Sequence, residues 1–200
     1  LKMYAYMYLK NQHQDDIQGR ITYIQLSDYK VRHFEFFFDV DVLEPFFNES
    51  ITRYSQWLEK LYAHLDRKRE SLEKLYFPFE NYRRGQREMM KAVYQTMKDD
   101  DLLFSIAPTR IGKTMASLFA TLKSLSEDNQ KIFYLSAKTQ GKKVALDTME
   151  LLHEAGLETK TLEITSKDVT CFLEKRECDP EKCPFARGFF DRLTTAMQDI

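Results

Sequence analysis

Residues 1–10, LKMYAYMYLK, are apolar and aromatic nearly all round, a pattern that predicts a buried helix rather than a surface one. Two runs rich in β-branched and aromatic residues follow, GRITYIQLS at 19–27 and VRHFEFFF at 31–38. They flank the turn-prone Asp28-Tyr29-Lys30 and predict a β-hairpin. Pro45 then punctuates the chain. From Asn48 or Ser50, either of which suits an N-cap, Ile51, Tyr54, Leu58, Leu61, Leu65, Leu72 and Leu75 recur near helical spacing and predict a long helix ending at about Tyr76. Its middle, Asp66-Arg67-Lys68-Arg69-Glu70, reads as the solvated face of a connecting helix.

Beyond Phe77-Pro78 the periodicity alternates between helix and strand, the pattern of an α/β layer structure with a parallel sheet. A helix over 84–98 is expected to bury Met89, Met90, Val93, Tyr94 and Met97. Strands are expected over 102–106, 131–136 and 160–165, with helices from Gly112 to about Leu125 and over 140–154. The segments therefore divide as 1–47, a helical connector 48–76, and an α/β part 77–200.

Composition narrows the classes. A hydrophobic content of 43% is enough for a core, and no apolar run approaches the roughly 18 to 20 residues that span a bilayer. Thirty basic residues against 31 acidic ones leave a net charge of −1, so any nucleic-acid contact must come from a local groove. The three cysteines all fall between 171 and 183, which suits a metal site in a reducing compartment better than a disulfide framework, and a cytoplasmic location is expected. The chain opens on Leu1-Lys2-Met3-Tyr4 and closes on a helical run ending Asp199-Ile200; both ends read as cuts. His13, His33, His64 and His153 are scattered and expected to be structural or solvent-exposed.

The most informative stretch is Ala107-Pro108-Thr109-Arg110-Ile111-Gly112-Lys113-Thr114, set after a predicted strand and opening a predicted helix. Backbone N–H groups and the helix dipole favour an anion there, Lys113 can reach β- and γ-phosphates, and Thr114 can place its hydroxyl on Mg²⁺. Arg110 is the discordant residue, because a loop that wraps phosphates closely usually has glycine there. We expect it to weaken ATP binding while leaving the fold intact.

Phe77-Pro78-Phe79, then Tyr82-Arg83-Arg84-Gly85-Gln86, then APTRIGKT resembles the opening of the XPD/DinG-like superfamily 2 helicases. The resemblance covers about 77–200 and implies the first part of a RecA-like P-loop domain. It implies a nucleotide site at Arg83, Gln86 and residues 107–114, with Gln86 reading the adenine edge, Arg83 in support, and Lys113 and Thr114 as catalytic groups. The run IFYLSAKT is similar to the family's motif Ia and implies contact of Lys138 and Thr139 with the backbone of single-stranded or forked DNA. Cys171-x6-Cys178-x4-Cys183-Pro-Phe-Ala resembles the family's iron–sulfur insertion, starting near 168; it implies a 4Fe-4S cluster whose fourth ligand is expected past residue 200. A zinc site with one further ligand, or plain free thiols, are the competing readings of the three cysteines. Residues 1–47 resemble the end of a RecB-like PD-(D/E)xK nuclease domain, with Tyr4 as the tyrosine of its Gln-x3-Tyr motif; a packing role is the plain reading of that tyrosine.

These implications make the chain part of an ATP-dependent DNA helicase using ATP, Mg²⁺ and the cluster, with inefficient hydrolysis expected because neither a DEAH-like box nor an arginine finger is identifiable. Two other readings stay open: a degenerate P-loop, metal-binding module for DNA or protein, and a phosphotransferase built on the same loop.

Overall fold

A computed structural model describes residues 1–127 and 130–199; Ile200, expected to end the last helix, lies outside the described residues. The chain is mixed α and β, with two compact units, Leu1–His64 and Leu65–Ile200. The division falls within a single helix of 35 residues.

In the first unit, α1 (Lys2–Gln12) leads into an antiparallel hairpin of β1 (Asp16–Ile24) and β2 (Val31–Asp39), whose register runs from Asp16 opposite Asp39 to Ile24 opposite Val31. The turn is tied by the Lys30 N–H donating to Asp28 Oδ1 at 3.2 Å, with Tyr29 left-handed at φ 55°. α1 is buried along one face only: Ala5, Tyr6 and Leu9 pack with Phe38 and Leu43, while Tyr4, Met7 and Tyr8 face solvent. The all-round aromatic pattern thus overstated its burial. Leu9 and Leu43 are fully enclosed, each worth about 1.5–3 kcal/mol of apolar burial.

α2 (Val40–Lys74) begins well before Asn48 and runs through Pro45. The Asp39 carboxylate accepts from the Asp41 N–H at 2.7 Å, an N-cap interaction expected instead at Asn48 or Ser50. Pro45 removes one donor that would reach the Asp41 carbonyl. Burial of Leu43, with Val40 and Phe47 packed beside it, offsets that loss. Ser50, expected as a cap, instead donates its hydroxyl to the Phe46 carbonyl at 2.7 Å inside the helix.

The second unit takes the end of α2 together with α3 (Gln86–Lys98), α4 (Lys113–Ser124), α5 (Thr139–Glu154), the short α6 (Lys167–Thr170) and α7 (Phe189–Asp199). α4 packs on both α3 and α5. Leu75, Met115, Phe119, Leu122, Leu152 and Leu157 form the core, flanked by Phe77, Met90 and Ile132. Lys123, in the last turn of α4, donates to the carbonyls of Leu72 and Glu73 at 2.6 and 3.1 Å and so closes the end of α2. Ser71 Oγ accepts from the Glu158 N–H at 2.9 Å, tying α2 to the segment after α5.

The expected strands at 102–106, 131–136 and 160–165 are neither helix nor paired strand: the only sheet among the described residues is the β1–β2 hairpin. Strand-forming composition gives an extended backbone its preference, and a ladder additionally requires a neighbour offering N–H and C=O groups. Without one, Phe104 and Leu135 are each 91% exposed, and Tyr94 and Met97, expected in the core, lie open on α3. Val93 is buried and Met90 partly so, as the α3 pattern predicts. Among the described residues no helix is long and apolar enough to cross a membrane.

Candidate nucleotide-binding site

The loop 107–112 enters α4 through two left-handed residues, Arg110 at φ 69° and Gly112 at φ 78°. Glycine adopts this conformation freely; arginine does so against its Cβ, at a cost of about 1–2 kcal/mol. The discordance of Arg110 in the sequence is thus a backbone fact. Its carbonyl accepts from Arg83 Nη1 at 2.6 Å. Gln86, 3% exposed at the start of α3, donates from Nε2 to the Gly112 carbonyl at 3.3 Å and accepts at Oε1 from the Arg83 N–H at 3.0 Å. A Cβ placed on Gly112 would stand 2.4 Å from Gln86 Nε2, so a side chain there would displace the Gln86 amide in addition to being strained at this φ.

No side chain caps the amino terminus of α4, which leaves its first-turn N–H groups to an anion or to water. Lys113 is exposed and curls back over the loop, Nζ donating to the carbonyls of Ala107 and Pro108 at 3.0 and 2.8 Å. Thr114, partly buried, is the second residue of α4. Thr109 is exposed and Ile111 partly buried in the turn. A free amino terminus, an adjacent ammonium group and a hydroxyl suit a phosphate chain with Mg²⁺. Among the residues expected at the nucleotide site, hydrogen bonds join Arg83 to Arg110, Gln86 to Gly112, and Lys113 to Ala107 and Pro108, while no parallel sheet lies beneath the loop among the described residues.

Lys138 and Thr139 stand exposed at the start of α5, where Lys138 is the N-cap residue. Ser136 Oγ donates to the Lys138 carbonyl at 2.9 Å and fixes the approach to the helix. The three cysteines differ in setting: Cys171 is half-buried, Cys178 exposed and Cys183 buried. Among the described residues no group of three or more His, Cys, Asp or Glu side chains is placed to hold a metal ion. A 4Fe-4S cluster or a tetrahedral zinc takes four ligands, of which these thiols would supply three.

Comparison with protein-family models, with curated proteins and with solved structures gives no match for this chain. The site therefore rests on its own geometry. Arg83 and Gln86 were expected here from the family resemblance, but their hydrogen bonds to Arg110 and Gly112 link residues 27 and 26 positions apart and carry no local signal.

Proposed function

We propose that this chain binds a nucleoside triphosphate through residues 107–114 and contributes the phosphate-binding part of an ATP-dependent DNA helicase of the XPD/DinG-like type. The observation that carries the reading is Lys113, whose ammonium group stands over the carbonyls of Ala107 and Pro108 beside the uncapped start of α4. Phosphate oxygens are stronger acceptors for that group than neutral carbonyls and would draw it outward. The Thr114 hydroxyl is the residue that would hold Mg²⁺, which when bound neutralises charge on the phosphates. Lys138 and Thr139, exposed at the start of α5, suit the backbone of a single DNA strand. The cysteines are read as thiolate donors to an iron–sulfur cluster by resemblance alone, and no step runs through it. The left-handed Arg110 favours a second reading, a phosphate-loop module that binds DNA or protein without motor activity.

The test is titration of the chain with a fluorescent ATP analogue and Mg²⁺, with and without single-stranded DNA. Lys113→Ala is expected to weaken binding by about tenfold or more, the effect of losing a charge-assisted contact. Arg110→Gly is expected to tighten it. Equal affinity in Lys113→Ala rejects the nucleotide site, and equal affinity in Arg110→Gly rejects a weakening role for the arginine. A nucleotide affinity that shifts with DNA supports the motor reading, and ATP binding indifferent to DNA supports the module.

A further inference from the structure

We propose that Gln86 and Arg83 are positioning residues that brace the phosphate loop, and that Gln86 grips the loop rather than the base of the bound nucleotide. The inference rests on the nucleotide reading above and concerns what these two side chains do within it. Reading a base edge takes a donor and an acceptor presented to open space. The Gln86 amide is buried, its oxygen taken by the Arg83 N–H and its nitrogen directed to the Gly112 carbonyl. It also fills the volume that a side chain at 112 would need, 2.4 Å from the ideal Cβ position.

The two contacts fall on the two residues of the loop that carry positive φ. The Arg110 carbonyl is held by Arg83 and the Gly112 carbonyl by Gln86. A carbonyl oxygen facing a phosphate is repulsive, and a left-handed residue is the place where a peptide plane most readily turns over. Holding both carbonyls on the side of Arg83 and Gln86 keeps these planes from turning their oxygens toward an anion. The hydrogen bond at 2.6 Å also opposes the tendency of Arg110 to leave the left-handed region. The brace therefore compensates locally for the arginine.

Inorganic triphosphate has the phosphate chain without a base and separates the two roles. Its Mg²⁺-dependent binding, and that of ATP, would be measured by calorimetry on the native chain, Gln86→Ala, Arg83→Ala and Arg83→Lys. Loss of the brace is expected to weaken triphosphate and ATP by the same factor, about tenfold in either alanine variant. Arg83→Lys, which still offers a donor to the Arg110 carbonyl, is expected to recover most of the binding. Because Arg83 is exposed, Arg83→Ala is expected to melt at the native temperature, which separates positioning from a general loss of fold. The proposal is overturned if Gln86→Ala loses ATP alone while triphosphate binds as before, or if both ligands bind both alanine variants unchanged. Should the native chain bind neither ligand, the nucleotide reading itself fails and the brace falls with it.

Discussion

Arg110 and Glu44 show how much a single side chain can disclose. An arginine where a phosphate loop ordinarily turns on glycine is visible in the sequence, and its φ of 69° is the corresponding backbone strain. Glu44 gave no such signal. Its carboxylate accepts from Tyr6 Oη at 2.9 Å and pairs with Lys10 at 3.2 Å, and these two contacts, the tyrosine first, hold its pKa below the ordinary carboxylate value. Its contribution to stability is then fully present above the unfolded-state pKa of about 4.3 and is lost as pH falls through the lower folded value. Denaturation midpoints of the native chain and Glu44→Gln are expected to differ most near neutral pH and to converge in acid. A gap that stays constant down the titration would contradict the pairing.

Helices and strands differed in how far the sequence could specify them. A helix closes its hydrogen bonds within its own segment, so the 3.6-residue spacing alone located α3, α4 and α5 to within two residues at either end. The beginning of α2 escaped because Pro45 reads as a break, whereas the Asp39 cap and the buried Leu43 carry the helix across it. The segments at 102–106, 131–136 and 160–165 had strand composition, and what they lack among the described residues is a partner. Two leucines measure the contrast. Leu152 on α5 is fully enclosed and Leu135 lies 91% exposed. Leu152→Ala is expected to destabilise the Leu65–Ile200 unit by about 2–5 kcal/mol in urea denaturation. Leu135→Ala should fall within about 0.5 kcal/mol of the native chain, and comparable losses would show that Leu135 is packed after all.

Across the whole molecule, most of what could be read from sequence was contiguous, while the long-range contacts were not legible. The hairpin, the loop 107–114 and the helix after it are local patterns. The brace at Arg83 and Gln86 and the Lys123 grip on α2 depend on residues far apart in the chain. The unpaired stretches also have a consequence for handling the protein. A protease takes its substrate as an extended strand, adding its own backbone hydrogen bonds, and a helix must first unwind to be accepted. Phe104, Phe133 and Leu135 offer large exposed side chains outside any helix or paired strand. Brief chymotrypsin digestion followed by mass spectrometry should therefore find the earliest cuts within 102–106 and 131–136, with α4 and α5 intact; a first cut inside either helix would count against the open strands. An early nick between 102 and 106 would separate Arg83 and Gln86 from the loop they hold, so brief exposure to a contaminating protease could abolish nucleotide binding before any loss of helix is detectable.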